Sequence, residues 1–123
     1  MKSKWVEYGG KRILHIDLSN FLSDMRGFEA ELNETVATIG QEMYSMPEHS
    51  ALVLVDMTNT SMTQASNKLL SERVTDTKKY VKKTAVVGMT GIRKIFLDYF
   101  ARLASSETGG FEGIEEAKKW LVK

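Results

Sequence analysis

Apolar and polar residues alternate on either side of Gly9-Gly10-Lys11, and this alternation defines the first two elements. In residues 12–18, Leu14, Ile16 and Leu18 point one way while Ile13, His15 and Asp17 point the other, the pattern of a half-buried strand with one face in the core. Residues 5–8 form its partner across the glycines, which supply the positive φ that hairpin turns need. The chain therefore opens with a β-hairpin. Over residues 23–46 the period becomes helical: Leu32, Val36, Ile39 and Met43 recur at spacings of four, three and four. Met46-Pro47 ends this helix, because proline disfavours helical geometry in the residue before it.

Residues 51–56, Ala-Leu-Val-Leu-Val-Asp, are a short apolar run of the kind found in a central strand covered on both faces. A polar loop from Asp56 to Met62 follows. The next helix, to about residue 82, carries Leu70, Val74, Thr77 and Val81 on one stripe. Residues 84–87 form a strand, and Gly88-Met89-Thr90-Gly91 turns into a third helix with Ile92, Ile95, Phe96, Tyr99 and Leu103 on one face. Residues 107–112, with Gly109-Gly110, supply only a short, weak edge strand. The last helix has Gly113 as its cap and Glu115 and Glu116 at the positive end of the dipole. Its Ile114, Ala117 and Leu121 face inward. This order, β-β-α-β-α-β-α-β-α, predicts an α/β fold with a mixed, mainly parallel sheet of about five strands, the hairpin as its antiparallel edge, and four helices.

With 123 residues, 42% of them hydrophobic and 27% charged, the chain is expected to form one domain over residues 1–123 with a packed core. Its net charge of +1 provides no general field for DNA, RNA or an anionic bilayer, so nucleic-acid binding is not expected. The absence of cysteine excludes disulfides, thiolate metal sites and cysteine nucleophiles. No apolar run approaches a membrane span, and Gly9-Gly10 interrupts the N-terminus before a signal-peptide core forms. A cytoplasmic protein without stable membrane insertion is the expectation.

Several segments together resemble the STAS domain, most closely its SpoIIAA-like branch, which shares its fold with Sec14-type lipid-transfer domains. They are Gly10-Lys-Arg-Ile-Leu-His-Ile-Asp-Leu-Ser-Asn20, Leu52-Val-Leu-Val-Asp56, Lys83-Thr-Ala-Val-Val-Gly-Met-Thr-Gly-Ile-Arg-Lys94 and Glu115-Glu-Ala-Lys-Lys-Trp-Leu121. None is a catalytic fingerprint, so the resemblance speaks for fold and branch more than for activity. In STAS antagonists of sigma-factor regulators, a partner kinase phosphorylates a serine in an Asp-Ser-Ser-Gly-like loop after the central strand. Here that loop reads Asp56-Met-Thr-Asn-Thr-Ser-Met62 and departs from the motif. The resemblance leaves Ser61, Thr60 and Thr58 as phosphorylation candidates.

The remaining chemistry is sparse. Asp56 ends the central strand, where open α/β sheets usually bind ligands, although an aspartate there more commonly caps the following turn. The Gly88–Gly91 turn, with Thr90, Arg93 and Lys94, can hold an anion on free backbone N–H groups. It lacks the spacing of a P-loop, and a structural turn is its commoner meaning. Met57, Met62 and Met89 fall in loops at the carboxyl edge of the sheet, beside Tyr99 and Phe100. They form either ordinary core or a small apolar pocket. The pairs Lys78-Lys79 and Lys82-Lys83 read as a solvated end of the second helix.

His15 and His49 belong to no triad, and neither a metal site nor a cofactor is expected. The first reading is a non-enzymatic regulatory or protein-interaction module that uses residues 56–70 to contact a protein partner. The alternative is a carrier or sensor of a small amphipathic or acyl ligand at the carboxyl edge, and an enzyme built on Asp56 and the glycine turn ranks last. Trp5, Tyr8 and Phe21 are candidates for a homodimer contact.

Overall fold

A computed structural model describes residues 2–89, 91–104 and 106–123, with the backbone alone at Ile92. Strands β1 (Lys4–Tyr8) and β2 (Lys11–Asp17) form the hairpin, with Gly9 and Gly10 at φ +57° and +78° in the two-residue turn that matches strand twist. Helix α1 (Met25–Thr35) runs through a π-helical turn, Val36–Gly40, into α2 (Gln41–Tyr44). There follow β3 (Ala51–Asp56), α3 (Gln64–Thr77), β4 (Val81–Val87), a 3-10 turn (Gly91–Arg93), α4 (Lys94–Ala104), β5 (Glu107–Phe111) and α5 (Ile114–Leu121). The five strands lie in sequence order, β1-β2-β3-β4-β5. The β1–β2 pair is antiparallel and the others are parallel.

That strand order decides where the helices go. Each parallel step crosses over through helices, and right-handed crossovers that always advance in one direction put those helices on one face. The core follows suit. Leu18, Phe28, Leu32, Met57, Leu70, Val86, Met89, Leu97 and Phe100 pack together on the α1–α4 face, next to Leu14, Ile39, Met43, Val53 and Val81. Helix α5 comes after the last strand, free of any crossover, and covers the opposite face. There Ala117 and Leu121 meet Ile13, Leu52, Leu54, Ala85 and Val87.

The predicted fold class stands, and several local readings need correction. β2 has core on both faces, because α5 buries Ile13 while the other helices bury Leu14. The second helix ends at Thr77, so Val81 is the first residue of β4 and pairs with Ala51. Its spacing of four from Thr77 imitates a helical stripe. Lys82 is an extra residue between the pairs Ala51–Val81 and Leu52–Lys83, a β-bulge that returns the following side chains to alternate faces. Lys83 is buried, its ammonium 4.9 Å from the Trp120 ring centroid and donating to the Trp120 carbonyl at 3.2 Å, rather than capping a helix.

On α4 the buried positions are Leu97, Phe100 and Ala104, while Ile95 and Tyr99 are exposed. Of the predicted face, Phe96 and Leu103 are half-buried against the core, so it is rotated toward solvent only in part. Within the chain, Arg12 lies over Trp5 and Lys118 over Tyr8, and Phe21, beyond the hairpin, meets Phe28 edge-on at 6.2 Å.

Candidate functional site

The loops at the carboxyl edge of the sheet, where ligands were expected, are knitted to one another. Asp56 accepts a hydrogen bond from the Thr58 amide at 3.0 Å, the turn-capping role of an Asx side chain. Thr60 is buried; its hydroxyl donates to the Leu18 carbonyl and accepts from the Phe21 amide at 3.2 Å. Asn20 N–H donates to the Thr58 carbonyl at 2.8 Å. Arg93 closes the group from the third side, donating through Nη2 to the carbonyls of Met57 at 3.2 Å and Thr60 at 2.7 Å. Gly88, at φ +91°, passes so close that a Cβ there would lie 2.8 Å from the Thr58 nitrogen.

Of the phosphorylation candidates, Thr58 is exposed and Ser61 half-buried, its hydroxyl 3.4 Å from the Ser23 amide. Lys94 is exposed, and Thr90 lies outside the described residues. This edge thus brings Asp56, Thr58, Thr60 and Arg93 together as a loop lock.

The space for a ligand lies elsewhere, under the helical layer. A cavity of about 120 Å³ runs between the α1–α4 helices and the sheet. At the carboxyl end it is lined by Leu18, Met57, Met89 and Phe100, and at the middle by Ile16, Val55, Leu32, Leu70 and Val86. Met57, Met89 and Phe100 are therefore brought together as the sequence reading expected. Met62 packs on the core outside the cavity lining, and Tyr99 lines a separate open groove between α3 and α4.

The wall toward the amino end of the strands is different in kind. It contains Arg73, Thr77 and Lys78 from the end of α3 and the turn after it, Thr84 from β4, and Ser106 and Thr108 at the start of β5. Thr84 and Thr108 are register partners, which fixes both sides of this end. Two hydroxyls are used locally: Thr77 donates to the Arg73 carbonyl at 2.8 Å and Thr108 to the Ser106 carbonyl at 3.4 Å. Arg73 Nε and Ser106 Oγ are buried and have no hydrogen-bond partner. The outer edge of the guanidinium reaches Asp76 through Nη1 at 3.4 Å. The π-helical turn also borders the cavity, through Val36 and Gly40, and such turns often mark functional positions in helices.

Sequence reasoning missed Arg73 and Ser106. A signal existed for the first: Arg73 falls three residues after Leu70 and next to Val74, on the apolar stripe of α3, where a cation is out of place. Ser106 follows Ser105 in a short polar link before a glycine-rich strand and carries no pattern. Among the described residues, no group of three or more His, Asp or Glu side chains is arranged to hold a metal ion. No described helix is long and apolar enough to cross a membrane.

No protein-family model matches the chain, and no curated protein matches it in sequence. Among solved structures it is similar to an uncharacterised protein of the DUF3478 family with a SpoIIAA-like fold from Shewanella loihica PV-4. The TM-score is 0.74 at 12% identity, over 97% of this chain and 91% of the other. The chain has a SpoIIAA-like, STAS-type fold.

Proposed function

We propose that this protein is a non-enzymatic binding module, a carrier or sensor that holds a small amphipathic ligand between its sheet and its helical layer. The single observation behind this reading is the apolar cavity of about 120 Å³ on the α1–α4 face. A comparable cavity lined by apolar side chains stays dry and accepts benzene, so this one suits a small apolar group or a single short chain. The lining helices include a π-helical turn, and an occupant would tighten contacts between α1, α3 and the sheet. Occupancy would thereby reach the outer surface of α3. Native mass spectrometry of protein purified without detergent should show one small adduct that is lost on denaturation. Protein that carries no adduct, and whose amide NMR spectrum is unmoved by 1-octanol, would overturn the reading.

A second reading, a regulatory protein-interaction module, draws support from a different surface. Ile95 is 68% and Tyr99 39% exposed on α4, beside the open groove that Tyr99 and Leu103 form with α3. In this reading, Thr58 and Ser61 are the hydroxyls a kinase can reach, whereas Thr60 is held inside. Exchanging Ile95 and Tyr99 for serine should abolish partner capture while leaving the octanol response intact. The reverse pattern assigns function to the cavity.

A further inference from the structure

The cavity has two chemically distinct ends, and this polarity identifies the class of molecule it would take. We propose that its ligand is a short-chain carboxylate, with the hydrocarbon tail against Met57, Met89 and Phe100 and the carboxylate on Arg73 and Ser106. The proposal rests on the binding reading above and adds the head-group chemistry to it.

Two buried donors, Arg73 Nε and Ser106 Oγ, have no acceptor. A buried N–H or O–H that lacks a partner is destabilising, more so on a charged group, and the fold places two of them at the same end of an otherwise apolar space. Arg73 Nε belongs to a permanently charged guanidinium, whose planar fork suits a carboxylate better than any neutral acceptor. Ser106 Oγ supplies a second donor to the other carboxylate oxygen, and Lys78 adds positive charge at the rim. Against these stands Asp76, which accepts from Nη1 at 3.4 Å on the exposed side and leaves Nε unpaired. At the far end the wall is thioether and aromatic, with Met57 and Met89 almost wholly buried and able to adapt to a hydrocarbon chain. The volume of about 120 Å³ leaves room for one short hydrocarbon chain, for which octanoate is the probe, and excludes a two-chain lipid.

Titration calorimetry with sodium octanoate and with 1-octanol separates the head-group claim from the cavity claim. The wild-type chain should bind octanoate about tenfold or more tighter than octanol, the increment expected of a charge-assisted hydrogen bond. Arg73→Met should erase that preference to within about twofold while octanol still binds, and Ser106→Ala should reduce it in part. Because Arg73→Met can also disturb α3, Asp76→Asn provides a second route: it frees the guanidinium and should tighten octanoate binding alone. If octanol binds the wild type as tightly as octanoate does, the head-group assignment falls and the cavity reading survives. If neither binds, both fall.

Discussion

On the α5 side of the sheet, Ile13, Leu54, Ala85 and Ala117 have no exposed surface, and a single eight-residue helix is enough to seal them. The α1–α4 side has far more helix over it and still keeps a cavity of about 120 Å³. Protein interiors are normally packed as densely as organic crystals. At roughly 24 cal/mol per Å³, an unfilled space of this size corresponds to about 3 kcal/mol of forgone stability. That is a large fraction of the roughly 5–15 kcal/mol by which a domain is stable. One chain therefore has a face packed for stability and a face that tolerates an opening. The difference teaches where a ligand would act: its contribution is greatest where the protein's own side chains leave contacts unmade.

Deleting the same side chain from each face tests this most strongly. Leu54→Ala, on the central strand beneath α5, should lower unfolding free energy by about 4 kcal/mol in urea denaturation, near the upper part of the range for buried leucine. Leu70→Ala, on α3 at the cavity wall, should cost about 2 kcal/mol, because part of that leucine already faces empty space and has fewer contacts to lose. Equal losses at the two sites would break the comparison.

Adding volume should reverse the sign. Ala85 and Val86 are neighbours on β4 that face opposite ways, Ala85 toward α5 and Val86 toward the cavity. Ala85→Val should overpack a closed site and destabilise by about 1–3 kcal/mol. Val86→Ile extends one methylene into open space and should stabilise by about 0.8 kcal/mol, raising the thermal midpoint. The same substitution should weaken octanol binding, since filler and ligand compete for one volume. Two variants shifted in the same direction would show that the faces are packed alike.

Much of this architecture was legible in the sequence, for identifiable reasons. The hairpin declared itself through Gly9-Gly10 and the alternation after it, β3 through its unbroken apolar run, and α5 through Ala117 and Leu121, all patterns carried by local spacing. What stayed hidden depends on register and on which helix lies above which strand. The bulge at Lys82 exists only in relation to β3, and without it Val81 reads as one more turn of α3. On α4 every residue from Ile95 to Tyr99 except Asp98 is apolar or aromatic, so periodicity alone could not tell the Leu97 side from the Ile95 side. Met57, Met89 and Phe100 were legible as a group, whereas Met62 and Tyr99, read together with them, lie outside the cavity lining. The polar end was not legible, because Arg73 on α3 and Ser106 before β5, far apart in the chain, line one cavity only once the fold has formed.

Acid should separate the two faces again, with the smallest effect of the three. His15 lies on the α5 face of β2, where burial lowers its pKa; Asp17 and Asp56 oppose that shift, while Lys118 and Lys4 reinforce it. A depressed histidine means that the unfolded chain takes up the proton first. Its contribution is therefore complete above the ordinary value of 6.5 and is lost as pH falls below it. Glu31 anchors the N-terminal segment from α1. Burial raises its pKa, but the Lys2 and Ser3 amides at 2.9 and 3.0 Å and the Ser3 hydroxyl at 2.7 Å outweigh burial and leave it lowered. That contribution is present above 4.5 and lost below it. Thermal midpoints measured from pH 7.5 to 3.5 should fall in two stages. His15→Gln should flatten the stage that begins near 6.5 and leave the lower one intact. Glu31→Gln should lower the midpoint at neutral pH and flatten only the stage below 4.5. A single stage that both substitutions change alike would mean that the two faces unfold as one electrostatic unit.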